Sequence, residues 1–225
     1  MAHIIYLNGF VGQVMDLWTD EILSATYNGM KANLEGHETE DIELHINSKG
    51  GDVFEGMAML GLLKEHTGQK TALVQGICAS AATLPLFAMD KVKAQETSMF
   101  LFHKSATMAY GHSEDLEKQA AELKTIDQTI IDLYLKKFKG TEEELIELLE
   151  ADKLISAKQA LEYGLIDEIV ADVPDKEDEP DEPDEPKEPT KEAKKSVEQV
   201  TEESTQIAAE NNSRITMLAN IFKGY

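Results

Sequence analysis

The sequence predicts an α/β domain with a mainly parallel sheet, followed by an acidic linker and a helical tail. Three observations carry that expectation. Strand-like and helix-like patterns alternate through the first 170 residues, the composition changes abruptly near residue 172, and helical spacing resumes near residue 197. Strands alternating with helices build βαβ units, whose crossovers make neighbouring strands parallel.

Ile4 to Leu7 is a short apolar run that reads as the first strand. Asp16 to Leu34 then carries Leu17, Ile22 and Met30 at helical spacing, which predicts one helix. Ile42 to Ile46 alternates as a strand does and ends in Asn47-Ser48-Lys49-Gly50-Gly51, and Val53 to Lys64 is helical again. Thr71 to Val74 is a third strand. After it, Gly76-Ile77-Cys78-Ala79-Ser80 turns into an apolar helix reaching Met89, with Pro85 one turn inside, where its missing N–H should kink the helix. Strand-like pieces near Val92 and at Met99 to Phe102 lead to His103. Past a polar stretch, 104–112, Ser113 is placed to cap a long helix through Lys137, closed by Gly140. Thr141 and Glu144 have capping-box spacing, and Ser156 to Tyr163 reads as a last helix stopped by Gly164.

A chain of 225 residues can bury one sizeable core and carry an appendage. Its net charge of −22 argues against a nucleic-acid partner, which would need clustered Lys and Arg. Much of that charge is local, since residues 172–192 hold eleven acids against three lysines. Cys78 is the single cysteine, so no intrachain disulfide is possible; this suits a reducing compartment, and the residue reads as a small buried hydrophobe. The opening MAHIIYLNGF lacks a basic region and a small-residue cleavage site, unlike a signal peptide. No apolar run reaches the ~18–20 residues a bilayer requires. The expectation is a soluble, cytoplasmic protein with no membrane partner, no metal and no cofactor.

Five of the six prolines fall between Val173 and Thr190, interleaved with acids as EPDEPDEPKEP. Such a segment buries too little apolar surface to offset its chain entropy and is expected to be a disordered linker. Beyond it Val197, Val200, Ser204, Ile207, Asn211, Ile215, Leu218 and Phe222 recur at spacings of three and four. This amphipathic stripe suits a helical partner for residues 197–222 or docking on the chain's own body.

Amide hydrolysis by a serine needs a nucleophile, a base, a group that orients the base, and donors for the oxyanion. Ser80 stands where a strand gives way to a helix, although a serine there is ordinarily a cap. Gly50-Gly51 lies between a strand and a helix, where bare N–H groups can face a ligand or simply form a tight turn. Of the six histidines, His103 alone closes an apolar run in the core half of the chain. Asp152 lies between two helical patterns, where most aspartates are solvated caps. Taken singly, these signals decide nothing.

Together they resemble one family. INSKGGDVFEG at 46–56 resembles the Asn-Ser-Pro-Gly-Gly block of ClpP, the proteolytic subunit of the Clp protease, and GICASAATL at 76–84 resembles its nucleophile block. MFLFHKS at 99–105 is similar to the histidine block, and ADKLISAKQALEYGLIDEIV at 151–170 to the last block, which contains the triad aspartate. The four blocks stand in order across residues 4–170. The resemblance implies a ClpP/crotonase-like spiral of βαβ units and a catalytic triad of Ser80, His103 and Asp152. It also implies an oxyanion hole from the N–H groups of Gly51 and Ala81, with Gly50 and Gly51 binding substrate. Helix 114–137 would then be the handle that interlocks two homo-oligomeric rings, and 104–112 the strand bordering the substrate channel.

The departures narrow the resemblance. Lys49 stands where the family has proline, Asp52 adds a carboxylate beside the expected oxyanion hole, and the acidic tether and terminal helix have no ClpP counterpart. The chain also begins at what resembles the first core strand, without the axial loops that face an unfoldase. In these respects it resembles the head-maturation (prohead) proteases of tailed phages and prophages. That implies an ATP-independent serine endopeptidase cleaving scaffold or major capsid precursor, in the host cytoplasm or inside the prohead. The implied organisation is a protease domain at 1–171, an acidic Pro-rich linker at 172–192 and a helical tail at 193–225. The competing readings are a general ClpP-type peptidase of the host, a catalytically silent ring-forming assembly protein, and a crotonase-like acyl-CoA enzyme.

Overall fold

The computed structural model describes residues 2–13 and 24–170. The expected linker at 172–192, the tail at 193–225, and Leu17 and Ile22 of the first expected helix lie outside the described residues. Eight strands are present among the described residues: β1 His3–Val11, β2 Ser24–Ala25, β3 Ile42–Gly51, β4 Lys70–Ala79, β5 Lys91–Gln95, β6 Met99–Leu101, β7 Ile155–Ser156 and β8 Glu168–Val170. They form one sheet in the order β2-β1-β3-β4-β5-β8, with β6 added beside the end of β4. Every pairing is parallel except that of β6 with β7. This is the mixed α/β architecture with a parallel sheet that the alternating pattern predicts.

Side-chain alternation explains which way each strand faces. On β3, Ile42, Leu44 and Ile46 are buried, and on β1, Ile5 and Leu7 are, while Ile4 and Tyr6 are 45% and 61% exposed. Fully burying a side chain of this size contributes ~1.5–3 kcal/mol, so the alternating face holds the strand in register.

The helices depart from the sequence expectation in three places. No single helix spans 16–34: Ser24–Ala25 is a strand, and α1 runs Tyr27–Leu34, started by Thr26, whose Oγ1 accepts from Gly29 N–H at 3.1 Å. The apolar run after Ser80 is a 3₁₀ helix, Ser80–Ala88, rather than an α-helix. Its i→i+3 pattern would send a Pro85 N–H to the Ala82 carbonyl. Pro85 has none, and the Cys78 thiol donates to that carbonyl instead, at 3.3 Å. Burial pushes the Cys78 thiol pKa up, so it keeps the proton it donates.

The third departure is at the long helix α3, which runs Ser113–Tyr134. Its cap is His112 rather than Ser113, with the His112 N–H bonded to Asp115 Oδ2 at 3.1 Å, and it ends six residues before Gly140. α2 (Val53–Glu65), α4 (Glu142–Ala151) and α5 (Ala157–Glu162) follow the expected starts. The Thr141–Glu144 capping box opens α4, and Ser156 caps α5.

Candidate active site

The end of β3 delivers the glycine pair through two irregularities. Against β1, the register jumps between Gly9 and Phe10, leaving Lys49 outside the ladder. Against β4, it jumps between Ile46 and Ser48, and Asn47 Oδ1 fills the gap by accepting from Ile77 N–H at 3.3 Å. Ser48 is buried; its hydroxyl donates to the Gly9 carbonyl at 2.6 Å and accepts from Gly50 N–H at 3.1 Å. Asn47 and Ser48 therefore satisfy the polar backbone that the bulges leave open.

Gly50 has φ +91°, and a Cβ there would sit 2.5 Å from the Ala79 carbonyl oxygen, 2.6 Å from Ser80 Cβ and 2.9 Å from the Ala81 nitrogen. A Cβ at Gly51 would sit 2.2 Å from the Val11 carbonyl oxygen. Glycine at 50 lets this strand end lie against the turn that carries Ser80, and glycine at 51 lets it lie against β1. Gly50→Ala is expected to lower kcat by roughly 10²-fold, because displacing a reacting group by about an ångström costs that much. The measurement is kcat on a short peptide alongside Tm, which should also fall.

Ser80 does not act as a cap. The cap position is Ala79, which makes no side-chain bond, and Ser80 Oγ lies 2.7 Å from His103 Nε2. Ser80 has φ +55° and Asp152 φ +47°, and they are the only two non-glycine residues with positive φ among those described. Each such residue costs of order 1–3 kcal/mol and persists only where its surroundings hold it. Asp152 takes this conformation because it ends α4, a place usually given to glycine or asparagine.

His103 follows β6, whose Cys78↔Phe100 and Ala79↔Leu101 pairings with β4 set the imidazole beside the nucleophile turn. Asp152 Oδ1 lies 3.6 Å from His103 Nδ1, too long for a hydrogen bond, with the carboxylate 68% exposed. The other histidines are engaged elsewhere: His66 with the Glu40 carbonyl, His45 with Glu43, His37 stacked on His3, and His112 at the start of α3. Two further side chains, unmarked by the sequence reading, steady the segment after His103. Asp127 of α3 accepts from both the N–H and the hydroxyl of Ser105, at 2.7 and 2.6 Å, and Lys104 pairs with Glu150 at 2.7 Å.

A cleft of about 610 Å³ opens over Ser80 and His103, with Val53, Phe54, Leu123, Ile126 and Ile130 forming apolar lining. Asp52 lines it too, but its Oδ1 is occupied in capping α2, accepting from Phe54 and Glu55 N–H at 2.7 and 3.1 Å. The extra carboxylate is thus tied to the helix start. Among the described residues, no His, Cys, Asp or Glu cluster could hold a metal ion, and no helix is long and apolar enough to cross a membrane.

The family model described as Clp protease matches residues 14–173, more than two thirds of the chain. The chain belongs to the Clp protease family. Among curated proteins it is similar to the ATP-dependent Clp protease proteolytic subunit of Deinococcus radiodurans, 31% identical over 133 residues. That match covers 58% of this chain and 65% of the relative, so just under two thirds of the relative's length is represented. The subunits of the same name from two strains of Dehalococcoides mccartyi are 32% identical over 139 residues, covering 61% of this chain and 70% of theirs. The matched region of the family model contains all four sequence blocks from Ile46 onward.

Proposed function

We propose that this chain is a serine endopeptidase in which Ser80 attacks the scissile carbonyl, His103 takes the serine proton and Asp152 orients the imidazole. The observation that carries this reading is the 2.7 Å contact between His103 Nε2 and Ser80 Oγ at a serine held with positive φ. With the Nδ1 proton directed toward Asp152, Nε2 is free to accept the hydroxyl proton. The Gly51 and Ala81 N–H groups are the proposed oxyanion donors, and the apolar wall of the cleft suits an uncharged substrate side chain. A fluorophosphonate should label Ser80 and no other residue. An unlabelled Ser80 in folded protein would leave a non-catalytic assembly protein as the better reading.

We extend the proposal to assembly into homo-oligomeric rings, with α3 as the interlocking handle. Parallel sheets are normally covered on both faces, yet Tyr6 on β1 and Phe54 on α2 stand more than 60% exposed. Met108 and Tyr110 are fully exposed beside the active-site segment, and Leu116 begins the outer half of α3 at 44%. These exposed apolar side chains are the proposed contact points between subunits. Sedimentation should show an active oligomer, and an active monomer would remove the ring from the proposal.

The substrate we propose is a scaffold or major capsid precursor processed during phage head maturation, without an ATPase. Its support is in the sequence: the acidic tether and amphipathic stripe at 172–222 suit recruitment of a helical partner by raising its local concentration. A second reading, the proteolytic partner of an ATP-dependent unfoldase, is favoured by the printed function of the relatives. Removing residues 172–225 should leave short-peptide cleavage unchanged and impair precursor processing. Degradation of folded substrates only with a Clp ATPase and ATP would favour the second reading.

A further inference from the structure

A second chain of hydrogen bonds reaches Ser80 at its backbone carbonyl. Thr83 Oγ1 donates to the Ser80 carbonyl at 2.7 Å, and the Tyr134 hydroxyl lies 2.6 Å from the same Thr83 Oγ1. A threonine hydroxyl has one proton, and here the Ser80 carbonyl receives it. The short contact is therefore a bond from the tyrosine O–H to Thr83 Oγ1. Tyr134 closes the buried end of α3, stacked with Phe87 at 4.9 Å and edge-on to Phe102 at 5.3 Å, while Thr83 is fully buried. Burial holds the phenol pKa above the ordinary tyrosine range, so the donor proton stays in place.

The Ser80 carbonyl and the Ala81 N–H belong to one planar peptide, in which C=O and N–H point in opposite directions. Anchoring the carbonyl toward the interior of the 3₁₀ helix turns the Ala81 N–H outward. Gly50 packs close to this peptide, since a Cβ on Gly50 would come within 2.9 Å of the Ala81 nitrogen. Bonds in series through an amide also polarise one another, so a donor on the carbonyl makes the N–H a stronger donor. We propose that Tyr134 and Thr83 are positioning residues for the oxyanion hole, orienting and polarising the Ser80–Ala81 peptide that stabilises the tetrahedral intermediate. This rests on the serine-peptidase reading of Ser80. It adds that the far end of α3 acts on the rate of the chemical step as well as on packing.

The experiment compares wild type, Thr83→Val, Thr83→Ser and Tyr134→Phe in the full chain. It measures kcat and KM on a short fluorogenic peptide and the Ki of a peptide boronic acid, whose serine adduct is tetrahedral. Thr83→Val should lower kcat by roughly 10- to 100-fold and weaken boronate binding by a similar factor, with KM nearly unchanged, as for loss of an oxyanion donor's alignment. Tyr134→Phe should show a smaller loss of the same kind, about threefold to tenfold. Thr83→Ser, which keeps the hydroxyl, should restore most of the rate. The acid limb of the pH–rate profile should not move in any variant, because neither group touches the imidazole.

If folded Thr83→Val and Tyr134→Phe keep kcat and boronate affinity within about twofold while only Tm falls, the chain is packing alone and the proposal is overturned. Should the valine variant not fold, Tyr134→Phe, which keeps the ring between Phe87 and Phe102, decides the matter. Fluorophosphonate labelling of the wild type separates the two levels. Failure to label Ser80 defeats the peptidase reading and this proposal with it, whereas labelling with unaffected variants defeats this proposal only.

Discussion

Ser80→Ala should reduce peptide hydrolysis by about 10⁶-fold while leaving the fold and assembly intact, the size of loss known when a triad nucleophile is removed. The alanine keeps the Thr83 bond to the residue-80 carbonyl and the same positive φ, so the oxyanion side of the site should survive. Only the Oγ facing His103 at 2.7 Å is lost. His103→Ala should cost nearly as much, and the double variant little more than either single one, since residues acting as a unit are not additive. A Ser80→Ala protein retaining a tenth of wild-type activity on a purified short peptide would remove Ser80 from the mechanism.

Asp152→Asn carries the next largest expected effect, roughly 10⁴-fold in kcat by analogy with loss of the orienting aspartate in serine proteases. The amide cannot supply the negative charge that holds the proton on His103 Nδ1 and stabilises the imidazolium during transfer. The 3.6 Å separation and the exposure of Asp152 make this the looser of the two contacts in the proposed triad. The kcat of the folded variant on a short peptide checks the expected loss, and a loss smaller than about tenfold would remove Asp152 from the proposed triad.

The site could be read in the sequence only through the four blocks that resemble the Clp protease, since its local signals taken singly decide nothing. Gly50-Gly51, Ser80 at a strand end and His103 closing an apolar strand each sit at a boundary where periodicity changes, and the structure sets His103 beside Ser80. The 3₁₀ character of Ser80–Ala88 was not readable, because an apolar run with no polar face has no period to distinguish i→i+3 from i→i+4. The same holds for the break of the first expected helix, where Ser24–Ala25 pairs with β1 through a contact that no window of sequence contains.

The sequence alone determined the α/β class, the order of strands and helices from Ile42 to Leu101, and the residues that resemble a Clp protease active site, while the short strands β7 and β8 were not legible in it. Those features depend on side-chain pattern and on residue types at fixed spacings. Tertiary structure alone decided which serine role Ser80 takes, cap or partner of His103, since that depends on β6 pairing with the end of β4. It likewise decided that Lys49 bulges out of β3, that Asp52 is bound into the start of α2, and that Tyr134 reaches Thr83 across 51 residues of chain. Hydrogen bonds of that span have no signature in local spacing. They exist only once the sheet has closed and brought α3 over the nucleophile turn.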